Sequence, residues 1–349
     1  MTMPLTGRVR QAVRALTPGY FALVMATGIL SIGMHRVGVV ALSELLFVVC
    51  AATFAVLVVL TGWRLVSFRD AVVDDFIDPG RAFGFFTFIA GTNVLGVRLS
   101  IGGYHTTTAT LLIVSGVTWL VLGYVIPWTA VLSRTQRPVV ATANGTWFIW
   151  VVASQSVAVS AATLEPLSAF DGLRGVLAVV AVFSWSVGVF LYASAAVFVA
   201  ARMMLYELRP VDLTPPYWVA MGAAAITALA GARIAEMDVA PMVVATRGLV
   251  AGMSVAFWSF ATWLIPVLIA AGWWRHRVHR VPLTYQATLW SVVFPLGMYA
   301  VASLDLGEAV ALPLVGIIGA VELWLAFGAW ALVFAAMSVH LWRTIIRVT

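Results

Sequence analysis

The sequence predicts an all-α integral membrane protein, with ten transmembrane helices paired as five helical hairpins around a central pore. Three observations predict it. Of the 349 residues, 62% are hydrophobic and 10% charged, with a mean hydropathy of +1.03. A soluble domain carries roughly 25% charged residues, so this chain cannot cover a water-facing surface. A helix crossing ~30 Å of hydrocarbon needs about 20 apolar residues. Ten stretches meet that requirement, at 18–35, 40–62, 82–98, 108–132, 144–163, 174–200, 217–233, 248–273, 285–303 and 312–341. The basic residues then sort by side. All 20 are arginine, and Arg36, Arg98, Arg174, Arg233 and Arg247 fall on one side against the other 15. The positive-inside rule therefore puts both termini in the cytoplasm, as an even number of spans requires.

The N-terminal 1–17 is expected to be a basic segment on the cytoplasmic surface. It holds Arg8, Arg10 and Arg14 and lacks the apolar core and cleavage site of a secretory signal. Residues 18–345 are expected to form a single transmembrane domain in the plasma membrane. The even spans end alike, with Trp63-Arg64, Trp274-Arg275 and Trp342-Arg343 closing spans two, eight and ten. Trp128 and then Arg134 close span four, and span six ends more loosely at Arg202 and Tyr206. Interfacial Trp followed by Arg marks a helix leaving the bilayer toward the cytoplasm. Endings that recur at the length of a helical hairpin plus its link point to five hairpins in series.

The even spans are long and uniformly apolar, as in "ELLFVVCAATFAVLVVL". The odd spans are shorter and rich in small or polar residues, as in "FGFFTFIAGTNVLG" and "WVAMGAAAITALAG". Small residues let helices pack closely, and polar residues within the bilayer face protein or water. Five odd helices are therefore expected inside, around a pore, with five even helices outside toward lipid.

Several residues stand out as candidates, each with a plain structural reading beside a functional one. Pro295 interrupts the ninth span, with Phe294 before it and Gly297 after it. Proline removes a helix hydrogen bond and kinks the backbone, so Phe294 reads either as a packing aromatic or as a hydrophobic plug in the pore. Arg36, Arg98 and Arg233 end spans one, three and seven. They read as interfacial anchors or as a partial basic ring that concentrates anions, and spans five and nine break the pattern, nine by ending at Asp305. Glu322, about ten residues into the last span, reads as a proton carrier or as an interhelical hydrogen bonder. Ser154, Gln155, Ser156 and Ser160 join neighbouring helices or, in part, line a water-filled path, and Gly297 reads as a further pore-lining position.

Other chemistries find little support. The lone Cys50 excludes internal disulfides and cysteine-ligated metal. His276 and His279 sit among arginines that repel a cation. The acidic stretch "RDAVVDDFIDPGRAF" is expected to be a solvated linker. The scattered arginines do not suggest nucleic acid, and no hydrolase, metalloprotease or phosphate-loop motif occurs. No catalytic residue, metal or other cofactor is expected.

Phe294-Pro295, "PGYFALVMATGILSIG" in the first span and "DPGRAFGFF" opening the third resemble the tellurite-resistance/dicarboxylate transporter family. That family includes the plant guard-cell slow anion channels and the fungal malate permeases, and "TWFIWVVASQSVAV" in the fifth span resembles the malate-permease branch more than the plant channels. The resemblance runs from Pro18 to Arg343. It implies a central anion pore, a homotrimer and an occluding phenylalanine on the ninth helix, carried over to Phe294. The expected function is an anion channel or permease for C4-dicarboxylates or small inorganic anions, with the anion and the lipid bilayer as its partners. The alternative is a membrane-embedded enzyme acting on lipid or isoprenoid substrates, for which the odd spans supply no polar catalytic cluster.

Overall fold

The computed structural model describes residues 4–132, 138–237, 241–309 and 311–346, so Arg134, Arg137 and Arg347 lie outside the described residues. A short amphipathic helix, α1 (Leu5–Arg14), precedes the first span. Five helices, α2 (Ala22–Arg36), α5 (Phe86–Ile101), α7 (Phe148–Leu164), α9 (Val219–Ala235) and α11 (Trp290–Ala309), form an inner ring. Five more, α3 (Val40–Ser67), α6 (His105–Ile126), α8 (Asp171–Leu205), α10 (Pro241–Trp273) and α12 (Pro313–Leu341), surround it. A further short helix, α4 (Arg69–Ile77), links the first hairpin to the second.

All ten spans are long and apolar enough to cross a membrane, and the inner ones are 67–89% buried within the protein against 17–44% for the outer ones. The difference follows from composition. α2 is buried on every side from Ala22 to Met34, as an all-round apolar helix in a protein interior must be. The apolar α6 buries only Thr108, Leu112, Ser115, Trp119 and Ile126, one stripe at helical spacing, and leaves the rest to lipid. Each inner helix packs on the outer helix that follows it in sequence. Around the ring, α2 packs on α5, α5 on α7, α7 on α9, α9 on α11, and α11 back on α2.

Side chains of the outer ring tie successive hairpins together. Trp185 on α8 donates to the Thr227 carbonyl of α9 at 3.1 Å, Trp258 on α10 to Ser303 Oγ of α11 at 2.8 Å, and Trp330 on α12 to Thr27 Oγ1 of α2 at 2.9 Å. Each inner helix is entered through a short 3₁₀ turn: Pro18–Phe21, Ala82–Phe85, Gly145–Trp147, Pro215–Trp218 and Ala287–Leu289. These entries lie on the side that carries α1 and the end of α12, hereafter the terminal face.

One linker differs from expectation. The acidic stretch after span two is not simply solvated, because α4 buries Asp75 against Arg64 of α3 at 2.7 Å and Arg81 at 2.8 Å. Arg64 and Asp75 are both almost fully buried, so the pair fastens the first two hairpins together.

Candidate functional site

The five inner helices enclose a cavity of about 20 Å³ on the axis. Its walls come from all five: Ile29 and Ile32, Asn93 and Val97, Ser156 and Val159, Ile226, Leu229 and Arg233, and Met298 and Val301. Within each helix these residues lie three or four apart, which places them on one face. Among the described residues, Asn93 and Ser156 are its uncharged polar lining and Arg233 its one charge. Ser115 of α6 donates to Asn93 Oδ1 at 2.7 Å, and Asn93 Nδ2 donates to Ser156 Oγ at 2.9 Å. Because Ser156 Oγ donates onward to the Ala153 carbonyl at 2.7 Å, the amide is held rigidly. An amide nitrogen has two hydrogens, and one is committed to Ser156.

One turn toward the terminal face, the same helix faces carry Met25, Ala90, Val152, Gly222 and Phe294. Every one of them is buried, and the Phe294 ring is 1% exposed. Phe294 precedes Met298 by four residues and therefore shares its face of α11. The close approach of α9 to α11 at this level depends on Gly222, where a Cβ would lie 2.9 Å from Pro295 Cγ. α11 remains helical through Pro295.

At the opposite end the cavity meets a vestibule of about 510 Å³, with Arg233 lining both. Arg36, Glu165, Glu236, Asp305 and Glu308 also line it. Asp305 receives Arg36 at 3.0 Å and Arg233 at 3.0 Å, while Glu308 takes Arg36 at 2.6 Å. Arg233 also donates to Thr163 Oγ1 at 2.8 Å. Among the described residues, two arginines against four carboxylates give this lining a formal charge of −2. Burial, reinforced by neighbouring Asp305, holds the Glu236 carboxyl above the usual glutamate range.

The expected basic ring is thus corrected. Arg36 and Arg233 share Asp305, the acid that ends the ninth span, and Arg36 also pairs with Glu308, so the two arginines sit in ion pairs and do not form a free basic ring. Arg98 lies in neither cavity. It is buried against Ser31 Oγ at 2.7 Å, Ser43 Oγ at 3.3 Å, Glu44 and the Phe47 ring, and so clamps α2, α3 and α5.

Two more expected lining residues turn away from the axis. Ser154 donates to the Ser184 carbonyl of α8 at 3.1 Å. Gly297 faces α2, where a Cβ would lie 2.9 Å from Ile29 Cγ2. Ser156 does line the cavity. Glu322, half-buried on α12, lines neither cavity, and among the described residues it has no hydrogen bond or ion pair, so the interhelical bond expected of it is not formed. Asn93, Glu165, Glu236 and Glu308 were not singled out from sequence, and Asp305 was noted only as the acid that ends the ninth span. The signals available were the one amide in the third span and an acid at the end of the ninth, where spans one, three and seven carry arginine.

The family model described as voltage-dependent anion channel (SLAC1) matches residues 15–338, nearly the whole chain and all ten spans. The chain belongs to the voltage-dependent anion channel family. An uncharacterized membrane protein of Mycobacterium tuberculosis (strain ATCC 25618 / H37Rv) is 61% identical over 158 residues, covering 45% of this chain and 80% of that relative. An uncharacterized transporter of Methanocaldococcus jannaschii is 24% identical over 331 residues, 92% of each chain. A second uncharacterized transporter of that organism is 27% identical over 152 residues, 42% of each chain. Membership agrees with the resemblance drawn from the first, third and ninth spans. It makes this protein a multi-pass anion channel or transporter, not an enzyme.

Proposed function

We propose that this protein is a gated anion conduit whose pathway follows the axis of the inner ring, with the Phe294 ring as its closing element. The observation that carries this reading is that, among the described residues, the axis cavity is lined by one charged residue, the cation Arg233, and by no carboxylate. An anion arriving from the vestibule meets Arg233 and then the second N–H of Asn93. Beyond them the path is apolar, and hydrophobic constrictions close by excluding water.

A cavity of about 20 Å³ has room for roughly one water molecule, so this conformation is a closed one. The cargo we propose is a C4-dicarboxylate or a small inorganic anion. The weak coordination along the axis suits a conduit that selects by charge more than by shape. The 15-to-5 division of arginines supports cytoplasmic termini in the plasma membrane. The closure of α11 on α2 supports a single transmembrane domain over 18–345, and the family resemblance supports a homotrimer.

The test is electrical recording from the purified protein in planar bilayers under gradients of chloride, nitrate and malate. A steady current that reverses with the anion gradient supports a conduit. Electroneutral flux without current assigns exchange instead, and no flux of any of the three, in wild type or Phe294→Ala, refutes the proposal.

A further inference from the structure

We propose that a groove on the terminal face, between α1, α3 and α12, binds an anionic glycerophospholipid, with its phosphate on Arg8 and one acyl chain running inward past Leu57. The groove has a volume of about 590 Å³ and is walled mainly by apolar side chains, including Leu16, Leu23, Leu57 and Met337. Pockets of ~300–1,000 Å³ hold ligands of this size. On α3 its lining reaches back to Thr53, ten residues from the interfacial Trp63. At 1.5 Å per residue that is ~15 Å, or half of a ~30 Å hydrocarbon core. The groove is therefore one leaflet deep.

Its charge selects the headgroup. Of the three arginines on α1, Arg10 lies over the Phe68 ring at 5.5 Å and Arg14 pairs with Asp70. Arg8 has neither kind of partner among the described residues, and its Nε is buried without an acceptor. Among the described residues no carboxylate lines the groove. A buried guanidinium N–H left unpaired is costly, and a phosphate supplies both the counter-charge and the acceptor oxygens. Inorganic phosphate would satisfy Arg8 yet leave the apolar depth unfilled, whereas a lipid satisfies both. The leaflet concerned is the one on the side of the termini, where anionic headgroups attract basic segments.

The test is native mass spectrometry of the purified full-length protein, delipidated and then titrated with phosphatidylglycerol, phosphatidylcholine or inorganic phosphate. Wild type should retain phosphatidylglycerol over phosphatidylcholine by about fivefold, the contribution of one basic residue at an anionic surface. Arg8→Gln should abolish that preference, and Arg8→Lys should keep most of it at an unchanged unfolding midpoint. Leu57→Trp should lower retention of both lipids. Three results each overturn the proposal: equal retention of both lipids by wild type, an undiminished preference in Arg8→Gln, or displacement of phosphatidylglycerol by equimolar inorganic phosphate.

Discussion

Phe294→Ala separates a gate from ordinary packing. The ring is 1% exposed, and deleting a fully buried phenylalanine costs about 3–5 kcal/mol. The question is which state bears that cost. If the ring closes the pathway, its packing belongs to the closed state and is already lost when the channel opens. Taking the lower end of that range, truncation raises the closed state relative to the open one by ~3 kcal/mol, and at 1.4 kcal/mol per tenfold the open population rises about a hundredfold. The hole left behind would lie one turn from the axis cavity of about 20 Å³, beside Met298 on the same face of α11. The assay is anion current per folded protein in planar bilayers, with the unfolding midpoint recorded on the same preparation. Phe294→Leu, which keeps much of the volume, should give an intermediate current. If Phe294 is plain core, the alanine variant melts early and carries no more current per folded molecule than wild type. That outcome, or a well-folded Phe294→Ala with wild-type current, refutes the gate.

Arg233→Gln should lower anion current, most at low salt where screening is weak. Arg98→Gln should leave current per folded protein unchanged and cost about 1.5–3 kcal/mol of stability, because Ser31 and Ser43 lose a buried charged partner. A salt-dependent current defect in Arg98→Gln would contradict its placement outside the pathway. Asp305→Asn takes the vestibule lining from −2 to −1 and releases Arg233, so anion current should rise at low ionic strength; no rise would argue against control by this acid. Burial first, and Asp305 second, raise the Glu236 carboxyl. Its ionised form is disfavoured in the fold, so it costs stability near neutral pH that returns as pH falls through its raised value. Protonation also removes a negative charge from the vestibule, so current should increase on acidifying that face just above the ordinary glutamate range, and Glu236→Gln should flatten this limb. Asp75→Ala leaves Arg64 buried without its carboxylate and should cost ~3–5 kcal/mol, read as a lower unfolding midpoint with normal current per folded molecule.

The fold was legible because it rests on patterns that the bilayer imposes locally. Each span declared itself by length and hydropathy, and the boundaries differ from the expected ones mostly by a few residues. The largest differences are in span eight, whose helix begins at Pro241 and not near 248, and in the outer spans whose helical structure continues beyond the hydrocarbon, as at Pro241–Val278 and Pro313–Ile346. The split between rings was equally legible, since small and polar residues in the odd spans can be satisfied only by neighbouring helices.

The site was legible only in part, because a residue's type does not fix the direction it faces or the partner it finds. Ser154 and Ser156 are two residues apart on one helix, and 3.6 residues per turn sends one to α8 and the other to the axis. Arg98 and Arg233 both end odd spans, yet Glu44 on α3 draws the first into a clamp while Asp305 on α11 holds the second at the mouth of the cavity. By itself, then, the sequence determined the solvent, the spans, the two rings and the conspicuous Phe294-Pro295 step, all properties of one helix at a time. Only the tertiary structure decided which polar groups share the axis and that the mouth is formally acidic. Those depend on charges brought together from helices up to 272 residues apart, as Arg36 is with Glu308. A Coulomb interaction follows distance in space and not separation along the chain.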